Sequence, residues 1–423
     1  MKKLLLSGAM LVLVVLQALA TVSLDDFLNR KEVKEVRVLQ NESTFERILE
    51  VMIEQPLDHR NPNGESFTQR VYISHVDPSR PVVLITAGYD AKYYYTSEIT
   101  AELRCNQLMV EHRYFGKSVP DSLDWNYLNT WQAASDHHRI ISLFKELYAE
   151  QWISTGISKG GQTVMYHSYY YPEDVDVRVP YVAPLNFGLE DERIYSFLNH
   201  VGSPGERRKV ERFQKMALKN QEKYLDAFIS FSEDEGYSYD LVGGVEKAYE
   251  YCVLEYSFAY WQWGYVPSKK IPGRAAKPEE VIKHMNRVAG FDYFSDQFII
   301  EFRPFFYQAL TEMGYYGYDL DAFGNYLKHV DNPIFTFTIP EDVELPFNDE
   351  LSVQLQQYIS EEAENYIFIY GEYDTWSATA VSSTGTTNSR IFVKEGGSHR
   401  TRINNMPKEQ KKEVFSTLES FLH

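Results

Sequence analysis

The stretch Trp152-Ile153-Ser154-Thr155-Gly156-Ile157-Ser158-Lys159-Gly160-Gly161 decides how the rest of the chain is read. It contains Gly-x-Ser-x-Gly, with glycines two residues to either side of Ser158. A serine on a very tight strand-to-helix turn needs that arrangement, because side chains at the flanking positions collide with neighbouring backbone. The context agrees: Trp152-Ile153 ends a buried strand, and Gln162-Thr163-Val164-Met165-Tyr166-His167 opens a helix. The competing reading of so short a motif is a glycine-rich turn carrying an ordinary serine. The catalytic reading is stricter, since it requires an Asp or Glu and then a His further along, in that order.

Upstream, Pro81-Val82-Val83-Leu84-Ile85-Thr86 is continuously apolar and therefore a central strand. It runs into Ala87-Gly88-Tyr89-Asp90. In a sheet of this kind the loop after that strand supplies one backbone N–H to an oxyanion hole, and the residue after the nucleophile supplies the other. Those donors are expected to be the amides of Tyr89 and Lys159. Residues 47–53, 67–73 and 106–110 read as further strands, and 130–149 as a helix. Glu111 and Arg113, leaving the strand at 106–110, are read as braces for the site.

Downstream, 178–184 reads as the next strand, and the character then changes. Residues 190–330 are helix-patterned, with helical clusters at 209–226, 245–261, 278–288 and 297–312. Strand character returns at 333–337, 366–370 and 389–393, and 408–422 is an amphipathic closing helix. Strand, helix, strand, nucleophile turn, helix is an α/β pattern. The expected fold is an α/β-hydrolase sheet domain in two parts, 21–189 and 331–423, with an inserted helical cap at 190–330.

The demand set by Ser158 is met within the second part. Of eleven histidines only His399 and the terminal His423 lie beyond the strand at 366–370, and a chain terminus frays. His399 follows the glycine-rich loop Lys394-Glu395-Gly396-Gly397-Ser398. Gly371-Glu372-Tyr373-Asp374 leaves the strand at 366–370, with Asp374 placed to orient a histidine ring and Glu372 its competitor. Ser158, Asp374 and His399 thus form the expected triad of nucleophile, orienting acid and general base.

The 423-residue chain has a formal net charge of −18, which repels phosphate backbones and makes nucleic acid an unsuitable partner. Aromatic residues make up 15%, enough to line broad surfaces as well as fill a core. Lys2-Lys3, the apolar run 4–16 and Ala18-Leu19-Ala20 read as a signal peptide over residues 1–20. Its removal leaves a secreted or periplasmic protein with no membrane association. Cys105 and Cys252 are compatible with a disulfide or with two buried thiols. No metal-ligand spacing, phosphate loop or dinucleotide fingerprint calls for a metal or cofactor.

Four motifs carry a family resemblance: Glu111-His112-Arg113-Tyr114-Phe115-Gly116-Lys117-Ser118, Thr130-Trp131-Gln132-Ala133-Ala134-Ser135-Asp136, Gly156-Ile157-Ser158-Lys159-Gly160-Gly161-Gln162-Thr163, and Gly371-Glu372-Tyr373-Asp374-Thr375-Trp376-Ser377-Ala378. Together they resemble secreted bacterial prolyl tripeptidyl aminopeptidases, serine peptidases related to lysosomal Pro-X carboxypeptidase and dipeptidyl peptidase II. The resemblance implies removal of tripeptides from free N-termini with proline at the cleaved bond, and it places the triad at Ser158, Asp374 and His399. The dipeptidyl relatives share several motifs, and a secreted esterase would share the triad. Ala87 departs from the family, where a Glu is expected. In the cap, Phe258-Ala259-Tyr260-Trp261-Gln262-Trp263-Gly264-Tyr265 offers Trp261 and Trp263 as an aromatic wall for a proline ring. An exopeptidase must also bind the substrate's ammonium group, for which Glu192, Glu255 and Glu312 are the candidates.

Overall fold

Nine strands pair into one sheet in the computed structural model, which describes residues 22–39, 45–264, 266–383 and 385–423. The signal peptide expected over 1–20 lies outside the described residues. The strands are β1 (Val33–Val38), β2 (Arg47–Pro56), β3 (Ser66–His75), β4 (Val82–Thr86), β5 (Asn106–Val110), β6 (Trp152–Ile157), β7 (Val177–Tyr181), β8 (Ile367–Gly371) and β9 (Arg390–Lys394). Their spatial order is β1-β2-β3-β5-β4-β6-β7-β8-β9. The first three are antiparallel to their neighbours, and from β5 to β9 all pairs are parallel. This is the α/β-hydrolase architecture, with β6 at the centre of the parallel part.

The helices of the sheet layer are α1 (Leu24–Leu28), α2 (Glu98–Leu103), α3 (Thr130–Phe144) and α4 (Lys159–Tyr170). The sequence between β7 and β8 then folds into α5 (Arg193–His200), α6 (Pro204–Lys219), α7 (Gln221–Glu235), α8 (Val245–Trp263), α9 (Pro278–Ala289) and α10 (Asp296–Gln308). The sheet layer resumes with α11 (Glu350–Glu361) and closes with α12 (Lys408–Phe421).

Alternation along β4 shows how the layers form, since successive side chains of a strand point to opposite faces. Val82 and Leu84 pack with Ile140, Ile141 and Phe144 of α3, whereas Val83 and Ile85 pack on the face covered by Ile99 of α2 and Val414 of α12. Such a strand is apolar at every position because both faces are covered.

Two readings of the sequence are corrected here. The alternating apolar residues at 333–337 form no strand; a 3₁₀ turn, Thr336–Thr338, stands there instead. Its apolar residues are drawn into the aromatic core of the helices: Phe335 is 1% exposed and its ring lies within 5.0–6.4 Å of the rings of Tyr293, Phe294, Phe306, Tyr315, Tyr316 and Tyr318. The helical cluster at 209–226 is two helices, α6 and α7, divided at Asn220. The helix α8 is buried nearly all round, which explains why its sequence lacks a polar face.

Candidate active site

Ser158 sits between the end of β6 and the first residue of α4 with φ 57° and ψ −120°, a conformation that a non-glycine residue adopts only under strong constraint. The constraint is visible in the packing around it. A Cβ on Gly156 would meet the Gly160 carbonyl at 2.4 Å, and one on Gly160 would meet the Thr86 oxygen at 2.4 Å. The Thr86 hydroxyl donates to the Gly160 carbonyl at 2.7 Å, tying the end of β4 to the turn. The Ser158 N–H donates to the Tyr181 carbonyl of β7 at 2.9 Å. Two neighbouring strands therefore hold the turn, and only glycines let them come this close.

Asp374 and His399 leave adjacent strands, β8 and β9, and their loops interlock. The Tyr373 N–H donates to the Gly397 carbonyl at 2.7 Å, and a Cβ on Gly371 would stand 2.5 Å from the Ser398 oxygen. His399 Nδ1 donates to Asp374 Oδ2 at 2.7 Å, with Asp374 0% and His399 5% exposed. The Trp376 N–H donates to the other carboxylate oxygen at 3.1 Å. Glu372, by contrast, is exposed and accepts the Gly396 N–H at 2.7 Å, bracing the histidine loop from outside.

Ser158, His399 and Tyr89 line one cavity of about 970 Å³ between the sheet and the α-helical segment. Among the described residues, neither the Tyr89 nor the Lys159 backbone N–H has an acceptor within the chain. The Tyr89 side chain adds something the sequence did not signal: burial pushes its phenol pKa up, and the neighbouring Ser158 side chain pulls against that shift. Behind this loop, Glu111 accepts the N–H groups of Ala91, Lys117 and Ser118 at 2.7–3.0 Å. Arg113 is fully buried in a two-bond pair with Asp136, at 2.7 and 2.8 Å. Its charge holds the Asp136 carboxyl far below the usual range, and both residues act at a distance from the cavity.

The residues singled out beyond the sheet separate cleanly. Glu255 and Trp263 line the cavity that holds Ser158, as do Phe258 and Gln262 of the same helix. Glu255 is 4% exposed and accepts the hydroxyls of Tyr316 and Tyr318, each at 2.8 Å. Burial pushes its carboxyl up to about 8, against the pull of those two hydroxyls. Trp263 meets His399 edge to face, with ring centres 5.4 Å apart. Glu192 lies exposed at the start of α5, and Glu312 accepts the Thr130 N–H at 2.7 Å; neither lines the cavity. Trp261 turns to a second, smaller cavity of about 350 Å³ and packs against Gly202. Ala87 lines the main cavity, its N–H donating to the Val110 carbonyl at 3.1 Å.

One contact could not be found from local sequence. The His399 backbone N–H donates at 2.8 Å to the Gln262 carbonyl, at the C-terminal end of α8. The Thr375 hydroxyl, next to Asp374, donates at 2.8 Å to the Phe258 carbonyl of the same helix. The helix that carries Glu255 thus also grips the loops carrying the acid and the histidine.

Residues 33–420 match the family model described as PS-10 peptidase S37. The chain belongs to the peptidase S37 family. A curated relative, the prolyl tri/tetrapeptidyl aminopeptidase of Streptomyces mobaraensis, is 31% identical over 365 residues, covering 84% of this chain and 76% of the relative. This S37 chain is therefore a serine peptidase, and its substrates are peptides. Among solved structures, VinJ is 12% identical with a TM-score of 0.44, covering 92% of this chain and 99% of its own. The proline iminopeptidase of Mycobacterium smegmatis is 13% identical with a TM-score of 0.43, covering 88% and 98%. Likenesses this loose add nothing on substrate. No helix among the described residues of this S37 peptidase is long and apolar enough to cross a membrane.

Proposed function

We propose that this S37 peptidase is a secreted aminopeptidase that removes tripeptides from free N-termini by cleaving after proline. The name of the Streptomyces mobaraensis relative supports that reading, and so does the chemistry of the cavity wall. In the reaction, Ser158 Oγ attacks the carbonyl carbon of the proline residue while His399 Nε2 takes its proton. Asp374 keeps the His399 Nδ1 proton in place and stabilises the imidazolium that forms. The Tyr89 and Lys159 amides receive the developing oxyanion, where each donor is worth about 10²–10³ in turnover. His399 then protonates the departing amine, and water releases the acyl group by the reverse sequence.

The observation that carries the exopeptidase reading is Glu255, a buried carboxyl on the wall of the cavity that also contains Ser158 and His399. Of the other two acidic residues there, Asp292 is exposed and Asp90 is paired with Lys92 at 3.2 Å. A buried carboxyl with no cation is costly unless something charged arrives to meet it. The substrate's α-ammonium supplies that charge. Glu255 lies two turns of α8 before Gln262, which holds His399, so the carboxyl and the anchor of the histidine loop stand on one helix. Trp263 and Phe258 supply apolar surface for the proline ring.

The reading is tested with Ala-Ala-Pro-Phe and its N-acetyl form on wild type and Glu255→Gln. The free peptide should lose Ala-Ala-Pro, and acetylation should slow cleavage by about 30-fold or more, since breaking such a charge pair costs roughly 2–5 kcal/mol. Glu255→Gln should erase most of that difference. Release of Ala-Ala would keep the class and change the length. Equal cleavage of both peptides by wild type would sink the aminopeptidase reading.

A further inference from the structure

The Lys159 side chain has no part in the scheme above, although its position beside the nucleophile is unusual. It is 1% exposed and lies between the rings of Tyr89 and Phe115, with Nζ 5.6 and 5.5 Å from their centres. Among the described residues no carboxylate pairs with it; its one hydrogen bond through Nζ is to the Gly88 carbonyl, at 2.7 Å. Burial holds the amine well below its usual pKa. A methionine or leucine would fill such a slot without the cost of hiding an amine from water. What the amine adds is therefore its donor and the direction in which that donor points.

That direction has a consequence at the other end of the same peptide. The Gly88–Tyr89 peptide is planar and trans, so its C=O and N–H point opposite ways. Fixing the Gly88 oxygen fixes the line along which the Tyr89 N–H points. Gly88 itself has φ +77°, and a Cβ on it would stand 2.4 Å from the Gly160 nitrogen, so this peptide lies directly against the start of α4. The Tyr89 carbonyl, in the next peptide along, is held in turn by the His112 N–H at 3.1 Å, which anchors the loop just beyond the Tyr89 N–H. A donor on the carbonyl also polarises the peptide and strengthens its N–H as a donor.

We propose that Lys159 is a positioning residue for the oxyanion hole, supplying one donor by its own amide and aiming the other by its side chain. The proposal rests on the reading of the Tyr89 and Lys159 amides as the oxyanion donors. It explains why a lysine stands in a buried slot: α4 and the loop after β4 are locked together by one side chain at the point where both donate.

The test uses Lys159→Met, which keeps the apolar stem and removes the donor, and Lys159→Gln, which keeps a shorter N–H donor. Each is assayed with the Ala-Ala-Pro methyl ester and the corresponding thionoester, whose sulfur fits an oxyanion hole poorly. In Lys159→Met, kcat should fall about 10²-fold with KM within about twofold. The preference for ester over thionoester should shrink about tenfold, and Lys159→Gln should recover part of both losses. A kcat within twofold of wild type in Lys159→Met would overturn the proposal. So would a loss of kcat with the ester-to-thionoester ratio unchanged, or failure of both variants to fold, since either assigns Lys159 to the fold alone. Ser158→Ala, run in parallel, reads the underlying assignment separately: full hydrolysis there removes the serine mechanism whatever the Lys159 variants do.

Discussion

At Ser158 the backbone conformation, the glycines around it and the hydrogen bond from His399 to Asp374 support the proposed catalytic unit. His399→Ala and Asp374→Asn should each lower turnover about 10⁴-fold, with the double variant little worse than either, because the three groups act together. Steady-state kinetics beside circular dichroism checks this; damage from Glu372→Gln but not from Asp374→Asn would reassign the acid. Tyr89→Phe isolates the phenol hydroxyl, which neighbours the Ser158 side chain, from the backbone amide. A loss of about tenfold in kcat is expected, smaller than for a lost amide donor. In the proposed function Glu255 sets the pH behaviour. With its carboxyl pushed up to about 8, kcat/KM for free peptides should rise with pH up to that value. It should fall again as the substrate's amino group, with an ordinary pKa of about 8, loses its proton. The same shift has a cost in stability. A carboxyl raised above its ordinary 4.5 favours the fold while protonated, so wild type loses stability relative to Glu255→Gln as pH rises from 4.5 to about 8. Melting temperatures of the two proteins across that range should diverge upward; parallel curves would contradict the shift.

At the scale of elements, the sheet was readable because its strands announce themselves as apolar runs and its turn as a run of glycines. β4 and β8 match continuous apolar stretches, β5 and β6 carry shorter apolar runs at Leu108-Met109-Val110 and Trp152-Ile153, and Asp374 and His399 follow strands as the chain order required. Four elements escaped. β1 is an edge strand with five of its six residues exposed, so it lacks a hydrophobic pattern; α1 and α2, at five and six residues, are too short to show a helical period; and α11 carries only a thin apolar stripe at Leu355 and Ile359. The segment at 333–337 deceived for a different reason: its apolar residues are buried by helices, and alternation alone does not say by what. In the site, the meeting of Asp374 with His399 was legible but the grip of α8 on the His399 loop was not. Gln262 and His399 are distant in sequence and meet through backbone atoms, which leave no trace in residue type. The tightness of the turn gives a test of its own. Gly160→Ala would drive a Cβ to 2.4 Å from the Thr86 oxygen. Denaturant melts should show a loss of about 1–3 kcal/mol or more, and labelling of Ser158 by a fluorophosphonate should fail. Normal labelling and stability would mean that the turn is looser than described.

For the molecule as a whole, the proposed function gives the chemistry to the sheet and the choice of substrate to the helices over it. Cys105 and Cys252 take no part in joining them: both are free, both are buried, and they belong to separate cores. Burial also pushes the Cys105 thiol up to about 12 and the Cys252 thiol well above its usual value. Neither should react with iodoacetamide in the native protein, and both should react in denaturant. The central claim is that a carboxylate in the helical layer counts residues from the substrate's N-terminus to the serine in the sheet. It is tested most directly by mass spectrometry of the products from three peptides carrying proline at the second, third or fourth position, each with a free and an acetylated N-terminus. Fastest cleavage is expected after a proline at the third position, with a marked loss on acetylation. Cleavage after proline at every position, indifferent to acetylation, would contradict it.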